Sequence, residues 1–187
     1  MDRRYRDCLR LNGKLAALAL SGNWIGPEEV AASYDSLASG YEQNWLTHLR
    51  PVTQALLDQV PDIGNRPILD LGCGTGYTTN RLYERFPAAA IQAQDISSGM
   101  LAVAERQNRS DHISFSCSDM LPFLTAQPSG RTGLVVSAWA IGYSNPRKIL
   151  KESFRVLESA GYFAFGVNRR HTLRPVYTAF RQTMQRH

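Results

Sequence analysis

Ile68-Leu69-Asp70-Leu71-Gly72-Cys73-Gly74-Thr75-Gly76-Tyr77 decides the fold of this 187-residue chain. Ile68, Leu69 and Leu71 form an apolar run of buried-strand character, three glycines break it at alternate positions, and Thr78 to Phe86 carries a helical pattern. The order strand, glycine turn, helix opens a nucleotide-binding crossover. Glycines here let the backbone turn sharply and approach a ligand whose volume a side chain would occupy. A dinucleotide fingerprint requires G-x-G-x-x-G and seats a pyrophosphate on the helix N-terminus. Gly72, Gly74 and Gly76 instead follow G-x-G-x-G, with Tyr77 where that pattern's third glycine falls. Asp70 sits just before the turn, where its carboxylate would repel a phosphate and attract an ammonium or sulfonium group. The ligand is therefore expected to be cationic at that end.

Downstream, Ala89 to Gln94 reads as a short second strand leading into Asp95, nineteen residues after Gly76. A nucleotide-binding crossover places an acidic residue for ribose hydroxyls near that distance, and a carboxylate can accept hydrogen bonds from both. The other reading of Asp95 is an N-cap before a helix from Met100 to Gln107. Ile113 to Cys117 alternates as a third strand, Gly133 to Ser137 is a buried fourth, Ile149 to Leu157 a helix, and Tyr162 to Val167 a fifth strand. Ala138 to Tyr143 follows the fourth strand, at the carboxyl edge where open α/β sheets bind ligands. Upstream, Leu46 to Val60 reads as an amphipathic helix that Pro51 breaks or starts, and Pro27-Glu28-Glu29 as a helix first turn. Arg4 to Leu20 carries an apolar stripe of Leu11, Leu15 and Leu18. Strands alternating with helices predict an α/β fold with a doubly wound, mostly parallel sheet.

The length suits one domain with a sizeable core, and 43% hydrophobic with 20% charged residues is ordinary for a globular protein. No apolar run approaches the roughly 20 residues of a membrane helix, so no membrane role is expected. Gly22, Asn23 and Trp24 follow the apolar Leu15 to Leu20 without a cleavage pattern, so no signal peptide is read. Cys8, Cys73 and Cys117 are far apart, odd in number and without metal-ligand spacing, which suits reduced thiols in a cytoplasmic protein and no metal site. The net charge of +5 divides as +3 over Met1 to Pro27, −3 over Glu28 to Glu158 and +5 over Ser159 to His187. Such basic ends could hold an acidic substrate or RNA. Solvated terminal helices are the simpler reading, because no aromatic interleaving or nucleic-acid motif accompanies the arginines.

Leu69-Asp70-Leu71-Gly72-Cys73-Gly74-Thr75-Gly76 resembles the first motif of the class I S-adenosylmethionine-dependent methyltransferases. Asp95-Ile96-Ser97-Ser98-Gly99-Met100-Leu101 is similar to the family's second-strand pattern. Tyr34-Asp35-Ser36-Leu37-Ala38-Ser39-Gly40-Tyr41 is similar to the Tyr-Asp-x-x-Ala-x-x-Tyr stretch before the first strand of many small-molecule members. Phe154-Arg155-Val156-Leu157 with Gly161 resembles the turn before the fifth strand, here Glu158-Ser159-Ala160-Gly161 without the family's proline and paired glycine, a departure expected to alter only a surface turn. The resemblance covers roughly Ala31 to Val167. It implies a Rossmann-like fold and S-adenosylmethionine as cofactor. By that resemblance Asp70 lies near the methionine part, with Gly72, Cys73, Gly74 and Gly76 passing beneath the cofactor. Asp95 holds the ribose, and Ile96 and Met100 flank the adenine, with helix packing an equal reading of Met100. Asp119 reaches the adenine amino group, the Met120 amide contacts the ring, and Ser137, ending the fourth strand, joins the cofactor-binding set.

Residues 1–30 are expected to form a helical extension or lid and residues 31–187 the cofactor-binding domain. That domain reads as C-terminally short, because the family has seven strands and Asn168 to His187 holds little more than a loop and one basic helix. The last antiparallel pair is expected to be missing, leaving a fifth strand that the terminal helix, a second copy in a homodimer, or further residues would cover. The expected function is methyl transfer to oxygen or nitrogen of a small-molecule acceptor, with Tyr34, Tyr41 and Tyr143 as acceptor-side candidates. No general base emerges, since His48, His112, His171 and His187 lack motif context; carboxylate acceptors would need none. The fourth strand is followed by neither Asn-Pro-Pro-Tyr nor a Pro-Cys pair, which weighs against the usual DNA methyltransferases. The alternatives are an RNA methyltransferase using the basic ends and a regulatory protein that binds the cofactor without transferring methyl groups.

Overall fold

The computed structural model describes residues 26–38, 41 and 46–167. Helix α1 (Pro27–Leu37) starts as its first turn predicts: Pro27 occupies the first position, and Glu29 accepts the Gly26 N–H at 3.0 Å. Helix α2 (Thr47–Asp58) runs through Pro51, correcting the expected break or start. Pro51 is its fifth residue, so its missing N–H reaches back only to the helix's first residue and the ladder beyond is intact.

Five strands follow: β1 (Ile68–Leu71), β2 (Ile91–Asp95), β3 (Ile113–Cys117), β4 (Thr132–Ala138) and β5 (Leu157–Gly166). Between them run α3 (Tyr77–Arg85), α4 (Ser98–Gln107), α5 (Met120–Ala126) and α6 (Pro146–Val156). All described pairings are parallel, in the order β3-β2-β1-β4-β5, as the doubly wound reading expects. From β1 the chain steps outward to β2 and β3, then returns to build β4 and β5 on β1's other side. This reversal opens a crevice at the carboxyl ends of β1 and β4, where such sheets bind ligands.

Side chains alternate across the strands and so divide the core. Ile68, Ile91, Leu134 and Val136 pack with Leu57, Leu82 and Phe86 on the α2 and α3 side. Leu69, Leu71 and Val135 pack with Phe123, Leu124, Ile149 and Val156 on the α5 and α6 side. Two arginines tie loops to this core. Arg85 donates to the carbonyls of Leu57 and Val60, and Arg155 to those of Leu124 and Gln127.

The fifth strand starts five residues earlier than the periodicity predicts. Leu157 pairs with Thr132, the register then shifts, and Leu134 pairs with Tyr162. Glu158 to Gly161, expected as a surface turn, is therefore a bulge within β5, held where Arg66 Nη1 donates to Glu158 at 2.8 Å and to the Ala160 carbonyl at 3.1 Å. Among the described residues β3 and β5 are the sheet's edges. The expected helix of Arg4 to Leu20, the segment Asn168 to His187 and the basic ends lie outside the described residues, and with them the question of what covers β5. The expected division at residue 30 falls within α1. Among the described residues no helix is long and apolar enough to cross a membrane.

Candidate active site

The three glycines of the turn solve three different problems. Gly72, at φ 70°, lies so close to the segment after β4 that an added Cβ would stand 2.1 Å from the Ala140 Cβ. Gly76, at φ 88°, precedes α3 and faces α4, where a Cβ would meet Asn108 Nδ2 at 2.5 Å. Gly74, at φ 56°, has open space around its missing Cβ. The first and third glycines thus permit packing, and the second leaves a free approach to the backbone. Gln94, buried in β2, holds the turn: its carbonyl accepts from the Gly72 and Cys73 N–H groups at 2.8 and 2.9 Å, and its Nε2 donates to the Ser118 carbonyl.

Asp95 ends β2, and backbone donors grip both its oxygens. Oδ1 accepts the Ser97 N–H at 2.9 Å and Oδ2 accepts the Gly74 N–H at 2.8 Å. The N-cap of α4 is Ser97, whose Oγ accepts from Met100 N–H, so Asp95 is not the cap that the alternative reading allowed. Burial raises its pKa, and those backbone bonds work against the rise. Asp119 caps α5, accepting the Leu121 N–H at 2.9 Å, rather than being a loop aspartate without a structural task.

Period-two alternation places Asp70 on the Ile68 side of β1, beneath α3. There Thr79 Oγ1 donates to Oδ2 at 2.7 Å, while Oδ1 has no hydrogen-bond partner among the described residues. The residue is 1% exposed, and burial pushes its pKa from 3.8 up to about 7 despite the Thr79 bond. The nearby Asp95 charge adds to the rise.

Above the crevice, α1 brings Tyr34 against the turn after β4. Tyr34 Oη donates to Tyr143 Oη at 3.0 Å, and the rings meet edge to face at 5.7 Å; Tyr41 meets Tyr34 the same way at 6.1 Å. Burial raises the pKa of both Tyr34 and Tyr41, so both stay protonated donors. Trp139, just past β4, is held at φ 71°, in the left-handed region that bulky residues avoid, with Nε1 donating to the buried Thr53 hydroxyl at 2.9 Å. Strain of this kind concentrates at functional sites.

These groups line a pocket at the carboxyl edge of the sheet that opens to solvent. Of the residues expected from the sequence, Gly72, Gly74, Asp95, Ile96, Met100, Asp119 and Met120 line it. Tyr34, Tyr41 and Tyr143 line the same pocket. Asp70, Cys73, Gly76 and Ser137 lie outside its lining. Cys73 is buried with its thiol pKa pushed up, and Ser137 is wholly buried in β4 with no partner for its Oγ among the described residues. Sequence reasoning missed Pro27, Val30, Gln94 and Ser144 as lining residues. A glutamine inside the apolar run of β2 was the one available signal.

A family model described as a methyltransferase domain matches residues 68–161. Over 120 residues the chain is 30% identical to the malonyl-[acyl-carrier protein] O-methyltransferase of Priestia megaterium, a match covering 64% of this chain and 43% of that protein. The chain spans 28% to 57% of the length of curated relatives it matches. The structure of an S-adenosylmethionine-dependent methyltransferase from Mesorhizobium loti superposes with a TM-score of 0.54 at 26% identity, covering 62% of this chain and 52% of that one. A geranyl diphosphate C-methyltransferase from Streptomyces coelicolor A3(2), at 18% identity and TM-score 0.59, covers 71% of this chain and 51% of its own, and shares the fold.

Proposed function

The chain belongs to the class I S-adenosylmethionine-dependent methyltransferases, and from that premise we propose that it transfers a methyl group to oxygen or nitrogen of a small acceptor, with a carboxylate oxygen favoured. The observation that carries this reading is Asp95. It is fixed from two sides at the switch point of the sheet, beside Gly74, the one glycine of the turn whose side-chain position is open. The residues present fit the cofactor. Asp95 keeps unused lone pairs for vicinal ribose hydroxyls. Ile96 and Met100 offer apolar faces to a purine, and Asp119 and Met120 line the same pocket. Asp70, with one oxygen unpartnered among the described residues, favours the ammonium end.

Bound there, S-adenosylmethionine supplies an electrophilic methyl carbon on a sulfonium. The chain's part is to hold both reactants so that an acceptor atom meets that carbon in line, which is where most of the acceleration of such a displacement arises. Tyr34 donates its proton to Tyr143 Oη, which leaves the Tyr143 proton to be donated to an acceptor oxygen. Trp139 and Val30 give the pocket apolar walls that limit water at the reacting atoms. A carboxylate attacks without losing a proton, so the acceptor end needs no strong base. The Priestia megaterium relative, a malonyl-[acyl-carrier protein] O-methyltransferase, supports the same reading.

Calorimetry with S-adenosylmethionine and S-adenosylhomocysteine, on wild type and a folded Asp95→Ala variant, tests the cofactor reading. Saturable binding that weakens at least tenfold in the variant supports it; a folded wild type that binds neither overturns it. Methyl transfer from labelled cofactor to a panel of short dicarboxylic monothioesters, against matched alcohols and amines, then tests the acceptor.

A further inference from the structure

We infer that Asp35 is a positioning residue that couples the seating of α1 over the pocket to the loop carrying Asp95. The inference deepens the proposed function and rests on its assignment of Asp95 to the cofactor. Asp35 Oδ1 accepts two hydrogen bonds from the far side of the crevice, Ser97 Oγ at 2.6 Å and Gly99 N–H at 2.8 Å. Ser97 is fully buried and is committed in three directions. Its hydroxyl donates to Asp35 and accepts from Met100, and its N–H donates to Asp95. Asp95 in turn holds Gly74. A single chain of hydrogen bonds therefore runs from α1 through Ser97 to the proposed ribose carboxylate and the glycine turn.

The geometry around this chain shows a fitted contact. An added Cβ on Gly99 would stand 3.0 Å from Asp35 Oδ1 and 3.2 Å from its Cα, so a glycine is what lets α1 come this close. Asp35 also places a negative charge at the N-terminus of α4, where the helix dipole favours it, and the two bonds hold its pKa below the ordinary value. One residue earlier, Tyr34 makes the helix's other polar link across the crevice, to Tyr143. Two adjacent residues thus tie α1 to opposite banks: Asp35 to the proposed cofactor side, Tyr34 to the proposed acceptor side. Pro27, Val30 and Tyr34, the pocket wall that α1 contributes, move with it.

Coupling is reciprocal. A ligand that orders Asp95 and its loop must also hold α1 down, and releasing α1 must weaken that ligand. Hydrogen exchange of wild type, Asp35→Ala, Asp35→Asn and Tyr34→Phe, each with and without S-adenosylhomocysteine, reads this directly. Without ligand, Asp35→Ala should speed exchange across 28–38 while β1 and β4 amides and the urea midpoint stay near wild type, which separates release of the helix from general unfolding. With ligand, wild type should gain protection over 28–38, and Asp35→Ala should lose that gain and bind about tenfold more weakly, an ordinary size for coupled sites. Asp35→Asn keeps an oxygen where both bonds land and should recover most of the protection. Tyr34→Phe cuts only the other bank and should keep the ligand-induced gain. Unchanged exchange over 28–38 in ligand-free Asp35→Ala, or full ligand-induced protection in that variant, overturns the inference. A wild type that shows the ligand-free difference yet binds no S-adenosylhomocysteine overturns the cofactor reading and leaves the link from α1 to Ser97 standing.

Discussion

Replacing Asp70 by asparagine should open a stability difference from wild type that widens as pH rises. The Asp70 pKa is raised from 3.8 to about 7, with desolvation the largest cause. The native state therefore keeps a proton between those values that the unfolded chain has released. Stability is greatest below the unfolded pKa and falls as pH rises, by about 1.4 kcal/mol per pH unit, until it levels above about 7. From pH 5 to pH 8 this one group removes about 2.5 kcal/mol of stability. Asparagine does not titrate, keeps an oxygen for the Thr79 hydroxyl, and leaves the other ionisable groups in place, so the difference between variant and wild type isolates Asp70. With a urea slope of about 2 kcal/mol per molar, the variant's midpoint should gain about 1 M on wild type between pH 5 and pH 8. Urea unfolding of both proteins at half-unit pH steps, followed by far-UV circular dichroism, measures it. A difference that stays flat across the range refutes the reasoning, because a carboxyl ionised at ordinary pH carries no such burial cost.

The same carboxyl predicts proton release on cofactor binding. A cation near Asp70 favours its charged form, so about half a proton should leave at pH 7, and affinity should rise with pH to about 7 and then level; titration calorimetry in two buffers of different ionisation enthalpy reads the proton count. Gly72→Ala should destabilise by roughly 3–5 kcal/mol, since its Cβ collides with Ala140 and its φ of 70° strains any side chain. Gly74→Ala meets no atom and should cost only about 1 kcal/mol of stability, while weakening cofactor binding far more than that cost implies; thermal unfolding and calorimetry on the pair check the contrast. Trp139→Phe leaves the buried Thr53 hydroxyl without its indole donor and should cost about 1–2 kcal/mol in urea unfolding.

What the sequence discloses about this fold is what contiguous residues determine. The strand, glycine turn and helix around Gly72 to Gly76 follow from ten adjacent positions, and β3 ends where alternation puts it, at Ile113 and Cys117. The start of β5 was illegible because Arg66 stabilises it from 92 residues away, through a bulge that breaks the alternating pattern on which strand reading depends. Asp95 was readable from its spacing after Gly76, and Ile96 and Met100 from the resemblance of the segment they share; all three line the pocket. The distinct tasks of the three glycines were not readable, because what fills the space beside Gly72 is Ala140 and beside Gly76 is Asn108, neither of them a sequence neighbour.

The acidic residues show most clearly what position along a strand adds to residue type. Asp70 and Asp95 both come from strands that end at the same crevice, and the sequence gives no reason to treat their environments differently. Yet Asp95 stands at the last residue of β2, where backbone donors satisfy both oxygens and the pocket reaches it. Asp70 lies one residue before the end of β1, on the face that α3 covers, with one donor and no solvent. The charge of Asp95 also raises the cost of ionising Asp70. A positive ligand in the pocket beside Asp95 would offset the cost that this charge adds to ionising Asp70. Such a site gains more from a cationic cofactor than a solvated pair of aspartates would, because the ligand-free protein already carries the electrostatic cost that binding removes.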